Sequence, residues 1–130
     1  MIDVNELRCG NIILYKNAGR VRKVRCTAQH ISMEDRSDLY PVVLKPEIFI
    51  SVGFRENESY PLRPQAQEFV LTLPVMGVQK SEIRGYRKSN GECFARAVVN
   101  DQPASNNVFH LHLLQNLYHA LTGSELQVTI

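Results

Sequence analysis

Two groups of side chains in this 130-residue chain have the types and spacing to do chemistry. The first is a run of cations. Lys16, Arg20, Arg22, Lys23 and Arg25 put five positive charges into ten residues, and no carboxylate follows until Glu34. Guanidinium and ammonium groups crowded in this way neutralise phosphates and release condensed counterions. Arg20, Arg22, Lys23 and Arg25 are therefore the candidate nucleic-acid contacts, and Tyr15 just ahead of them could stack on a base. Lys80, Arg84, Arg87 and Lys88 form a second cluster that could extend the same track. The competing reading is that charges on an edge strand only keep other chains from pairing with it.

The second group is polar and uncharged. Residues 102 to 124 contain no Asp, Glu, Lys or Arg, although a solvated helix face ordinarily carries charged i,i+4 pairs. His112, Gln115, Asn116 and His119 are the candidate interface, because uncharged polar groups cost less to desolvate than ions. Such a face would meet a second copy of the chain or a partner protein. The plainer alternative is that it is exposed or touches a loop.

Other chemistry is poorly supplied. His112 and His119 share a helix face, but two turns separate them by about 10.5 Å, too far for one ion. His110 falls on the apolar side, where a histidine in the core with one hydrogen bond is expected. Cys9, Cys26 and Cys93 are odd in number and lack CxxC spacing, which suits neither a disulfide framework nor zinc. Arg8 and Arg25 beside Cys9 and Cys26 would favour reactive thiols, whereas isolated cysteines next to strands are more often small buried apolar groups. No nucleophile elbow, HExxH pair or cofactor fingerprint stands in the chain. The expectation is a protein that is not an enzyme and takes no metal or cofactor.

The elements that must carry these groups follow from periodicity and turn chemistry. Asp3 to Leu7 predicts a capped turn and Arg8 to Asn11 a bend. Ile12 to Tyr15 is a strand, Lys16 to Gly19 a hairpin turn, and the basic run a second strand with Val21 and Val24. Ile31 to Met33 supplies a third, so the N-terminal part reads as a small bent sheet or Src-homology-3-like barrel. In that setting Gly19-Arg-Val-Arg-Lys-Val-Arg25 faintly resembles the KOW-type element of nucleic-acid-binding barrels.

Pro41 to Leu44 is extended, and Lys45-Pro46-Glu47 opens a short helix with Leu44, Ile48 and Val52 on one face and Gly53 at its end. Residues 56 to 64 read as loop with a short extended piece at Tyr60 to Leu62. Phe69, Leu71 and Leu73 alternate as a strand, and Val78 to Lys88 and Glu92 to Val99 flank an Asn90-Gly91 hairpin turn. Asn107 to Thr122 predicts a long amphipathic helix packed on the sheet, with Leu111, Leu114, Leu117, Tyr118 and Leu121 inward. Asn106 or Asn107 would cap its start and Gly123 its end. Leu126, Val128 and Ile130 alternate as a terminal strand or extended tail.

The fold class is α+β: bent sheet or barrel, short helix, β-meander and C-terminal helix. Residues 1–130 form a single domain, with a possible division into 1–40 and 41–130. An apolar content of 44% suits a globular chain. With no signal-peptide pattern and no run of about 18 apolar residues, a cytoplasmic location off the membrane is expected.

Three segments resemble a family of small uncharacterised proteins encoded in prophages and conjugative elements of Bacteroides-type gut bacteria. They are Asn5-Glu-Leu-Arg-Cys-Gly-Asn11, Pro41-Val-Val-Leu-Lys-Pro-Glu47 running to Val52-Gly-Phe54, and Leu114-Gln-Asn-Leu-Tyr-His-Ala-Leu-Thr-Gly-Ser-Glu-Leu126. Their order matches across most of the chain. The basic strand is not part of the pattern, and the match is loose from Glu56 to Pro103. The resemblance implies an intracellular bacterial setting and a mobile-element gene, and no activity. Two function classes follow: a non-catalytic interaction module contacting itself or a protein partner, or a nucleic-acid-binding accessory protein using residues 20–25.

Overall fold

The computed structural model describes residues 2–32, 38–58, 66–74 and 80–129. Strand β1 (Ile12–Asn17) opens the first sheet. Successive strand residues face opposite ways, and Ile12 and Ile13 are both fully buried. Ile12 joins the main core, whereas Ile13 joins a smaller cluster with Ile2, Cys26 and Leu39. An apolar run without alternation is what a strand buried on both faces requires. β2 (Arg20–Arg25) pairs antiparallel along one side of β1, and the two-residue β3 (Leu39–Tyr40) along the other. Ala18 and Gly19 take φ of 54° and 78°, the left-handed pair that a two-residue hairpin loop needs.

This sheet has three strands in the order β2-β1-β3 and does not close. Among the described residues the sheet therefore does not make the expected Src-homology-3-like barrel. Its third strand at Ile31 to Met33 is replaced by a single helical turn, α1 (Ala28–Ile31). The reason is local capping: the Thr27 backbone N–H donates to His30 Nδ1 at 3.0 Å, and the Thr27 hydroxyl lies 3.1 Å from the same atom. Met33 lies outside the described residues, as do the extended piece expected at Tyr60 to Leu62, and Ile130.

The second sheet is an antiparallel meander in chain order: β4 (Arg55–Glu56), β5 (Gln67–Thr72), β6 (Ser81–Arg87), β7 (Cys93–Val99) and β8 (Gln102–Pro103). The Asn90-Gly91 turn forms as expected, with Gly91 at φ 93° and the Lys88 N–H on the Glu92 carbonyl at 2.8 Å. One sheet face carries Phe69, Ile83 and Ala95 into the core shared with Ile12, Leu44, Leu111 and Leu114.

Helix α2 (Pro46–Ser51) starts at its proline and is followed by Gly53 at φ 106°. Its deepest side chain is Phe49, which the Leu44-Ile48-Val52 stripe did not single out. The ring stacks on Phe69 at 5.2 Å and tilts against Phe54 at 5.0 Å. Gly85 lies directly beneath it, so a Cβ there would come within 2.5 Å of the Phe49 ring. The glycine in β6 is a packing requirement.

Helix α3 spans Leu111–Thr122, 12 residues, and is shorter than the Asn107 to Thr122 helix expected. The backbone before it is already committed. Val108 exchanges both hydrogen bonds with Ala95 at 2.8 Å, and Leu44 N–H reaches the Phe109 carbonyl at 3.2 Å. Residues 108–110 are thereby held extended, and His110 takes the N-cap position in place of Asn106 or Asn107. Leu111 and Leu114 are buried, Leu117 and Tyr118 half-buried, and Leu121 exposed. Gly123 closes the helix at φ 72°. The chain after it forms no strand; Leu126 is buried and the following residues continue as a tail. Among the described residues no helix is long and apolar enough to cross a membrane.

Gly85→Ala tests this packing. The methyl cannot be accommodated without moving the Phe49 ring, so a loss of about 1–3 kcal/mol is expected in urea unfolding. Adding Phe49→Leu should recover part of it; a Gly85→Ala protein as stable as wild type would contradict the packing described.

Candidate functional site

The uncharged side of α3 is a buried seam. Gln115 is fully buried, and its side-chain Oε1 accepts the Ile12 N–H at 2.7 Å while its Nε2 donates to the Gly10 carbonyl at 3.2 Å. Asn116 Nδ2 donates to the Glu6 carbonyl at 2.6 Å, and its Oδ1 accepts from Asn11 Nδ2 at 2.8 Å and Arg8 Nε at 3.2 Å. Arg8 also forms an ion pair with Glu125. That hydrogen bond holds the Glu125 carboxyl below its ordinary pKa. Polar groups thus bind the N-terminal turn (Val4–Glu6) and its bend to the helix.

His112 belongs to the same seam. It is 1% exposed, with Nε2 lying 3.3 Å from Glu6 Oε2 and its ring stacked on His110 at 5.9 Å. Burial pushes the His112 pKa below its ordinary value, and the hydrogen bond with Glu6 offsets this only in part. Burial lowers His110 as well. The expected contact surface of His112, Gln115, Asn116 and His119 is corrected accordingly. His112 and Gln115 are withdrawn from solvent, Asn116 is engaged inside the chain, and His119 is half-exposed, 4.0 Å from Glu125. Segment 6–12 has taken the place assigned to a partner.

The basic run lies on an edge strand, since among the described residues β2 has only β1 beside it. Eight consecutive residues, Lys16 through Lys23, are exposed, so the tip of the β1–β2 ribbon projects from the body of the sheet. Register puts Arg22 opposite Tyr15 and Arg20 opposite Asn17, with Lys23 opposite Leu14 and Arg25 opposite Ile12. Adjacent strand residues point to opposite faces. The four cations are therefore shared two and two between the faces of the ribbon. Among the described residues no ion pair or side-chain hydrogen bond engages Arg20, Arg22 or Lys23. Arg25 is partly occupied, donating through Nη2 to the Val128 carbonyl at 3.2 Å. Tyr15 is half-buried, with its ring edge-on to His30 at 5.5 Å.

The second cationic cluster does not extend this track. It lies on the other sheet, where Arg84 bonds Glu82 at 2.6 Å and Asp101 at 2.7 Å. Burial opposes the charge of Arg84, yet those carboxylates hold its pKa above the ordinary value. Lys88 pairs with Glu92 at 3.4 Å.

The three cysteines are free thiols. Cys26 and Cys93 are buried, and burial raises both pKa values, against thiolate formation. Cys9 alone is exposed. No three His, Cys, Asp or Glu side chains converge as metal ligands among the described residues. Set against protein families, curated proteins and solved structures, the chain matches none of them.

Two measurements probe the seam. Gln115→Leu strands the buried Ile12 N–H and the half-buried Gly10 carbonyl, so urea unfolding should show a loss of roughly 2–4 kcal/mol, about 1–3 for the buried N–H and less for the carbonyl. A loss under ~0.5 kcal/mol would mean the amide is not holding β1. For His112, the unfolded chain takes up a proton near pH 6.5 that the folded chain resists. Stability is then full above that pH and falls as pH drops below it. Melting temperature should decline from about pH 7.5 to about pH 5.5, and less steeply in His112→Gln. Parallel pH profiles for the two proteins would rule His112 out as the titrating group.

Proposed function

We propose that this chain is a non-catalytic nucleic-acid-binding accessory protein that grips phosphates with the β1–β2 ribbon. The observation that carries the reading is the exposed edge strand whose Arg20, Arg22 and Lys23 have no acidic partner among the described residues. Cations that only shield a sheet edge need not project on both faces of a protruding tip. A two-stranded ribbon is also narrow enough to enter the major groove of a duplex, about 12 Å wide, with arginines on each face reaching the flanking phosphates. The alternative of a protein-binding helix face is weakened, because His112, Gln115 and Asn116 already have partners within the chain. The likeness to proteins of Bacteroides-type prophages and conjugative elements would make the protein an accessory of such an element.

Fluorescence anisotropy with a labelled duplex is the direct test. Four neutralised phosphates give a log–log salt slope of about −3.6, so affinity should weaken roughly 100-fold between ~50 and ~200 mM salt. Arg22→Glu with Lys23→Glu should abolish binding while leaving the melting temperature within a few degrees, because both side chains are exposed. Absence of binding at the lowest salt, or unaltered affinity in the double variant, would refute the proposal.

A further inference from the structure

The meander has a second face, opposite the core, and register brings a row of aromatic rings together there. Tyr86 on β6 lies opposite Phe94 on β7, with ring centroids 5.2 Å apart and planes 29° from parallel. The Ala95–Val108 bridge sets Phe109 next in the row, 6.0 Å from Phe94. Two rings on neighbouring strands and a third on the bridged segment beside them form a ladder, and its outer member is 39% exposed.

The ladder is held rigid from one end. Tyr86 is hydrogen-bonded to the buried Glu68, whose carboxylate also accepts from Asn57 Nδ2 at 2.8 Å. Arg96 lies over the Tyr86 ring at 5.3 Å and Lys88 over Phe94 at 5.8 Å. A pocket of about 470 Å³ opens beside these rings, lined by Tyr86, Phe94, Arg87, Lys88, Arg96 and the Ser89-Asn90 turn. Among the described residues the lining holds three cations and no carboxylate. Arg96 Nε is buried without a hydrogen-bond partner among the described residues, a state that buried donors seldom keep.

From this combination we infer that the outer face of the meander is a stacking platform for unpaired nucleobases of a single-stranded nucleic acid. A base has the flat π-face that the exposed Phe109 ring at the end of the row can take, and the neighbouring phosphate has the charge that Arg87 and Arg96 complement, with Lys88 shared between it and Glu92. The pocket volume falls within the range of small-ligand sites, ~300–1,000 Å³, with room for one nucleotide unit. A packing role alone accounts for the Tyr86–Phe94 contact, but not for an exposed Phe109 that continues the row past a cation-lined pocket. The platform is on a different sheet from the β1–β2 ribbon and stands independently of the function proposed for it. The two also differ in preference. Phosphate contacts accept duplex and single strand, whereas stacking requires bases freed from pairing.

Labelled oligo(dT) and oligo(U) of about ten nucleotides, beside a duplex of equal length, separate them by anisotropy at low salt. Wild type should bind the single strands, and Phe109→Ala should weaken that binding roughly 5-fold to 100-fold while leaving duplex affinity unchanged. Lys88→Ala should weaken it by a smaller, salt-sensitive factor. Phe109 is exposed, so the variant should keep its wild-type melting temperature, which circular dichroism verifies. Comparing oligo(dT) with oligo(U) tells whether the strand is DNA or RNA. The Arg22→Glu, Lys23→Glu protein serves as the second arm: with the ribbon disabled, the single-strand affinity that remains should still fall with Phe109→Ala. No single-strand binding by wild type, or equal single-strand affinity with and without Phe109→Ala, would overturn the platform without touching the ribbon.

Discussion

Beyond the two-residue β3, the outer edge of β1 has no strand beside it, and the side-chain amide of Gln115 takes over the pairing. It accepts the Ile12 N–H and donates to the Gly10 carbonyl, the two groups that a neighbouring strand would have satisfied. The Ile12 N–H lies where water does not reach and the Gly10 carbonyl is half-buried, and unpaired backbone groups at such depth are costly. The placement of α3 against β1 and the burial of Ile12 depend on this one amide. A charged residue could not serve there, since it would bring an ionic group into the core.

That constraint explains why the helix is free of charge. His112, Gln115 and Asn116 sit at neighbouring positions on one side of α3, and each meets the segment from Glu6 to Asn11. Arg8 completes the seam from the other direction, reaching Asn116 and Glu125. The leucine side of α3 contributes the apolar burial, while the polar side decides what the helix packs against. An entirely apolar helix could rotate or slide; paired amides allow one register.

The same residue types play opposite parts on the two sheets. Arg84 is tied to Glu82 and Asp101 within the meander, so its charge is spent on the fold. Arg20, Arg22 and Lys23 project from a tip whose neighbours are exposed and bear no acid. Exposed ion pairs contribute little to stability, and leaving these cations unpaired therefore costs the protein almost nothing. It leaves them open to a polyanion.

Read alone, the sequence determined the local elements: the Asn90-Gly91 hairpin, the proline-initiated α2, the capped turn at Asp3, and the amphipathic core of α3 ended by Gly123. Each rests on a few adjacent residues whose backbone preferences agree, so no distant contact is needed to read it. It also marked the basic run, because charge density is a property of the linear chain. Tertiary structure alone decided the rest. The helix begins at Leu111 because β7 and the extended segment at Val43 and Leu44 claim the backbone of residues 108–110. The third strand of the supposed barrel gave way to a helical turn, leaving the first sheet open. The uncharged helix face turned inward because its partners, Glu6, Gly10 and Ile12, lie about a hundred residues away in the chain. The Tyr86–Phe94–Phe109 row was invisible for the same reason: cross-strand register, and not spacing, brings those rings together.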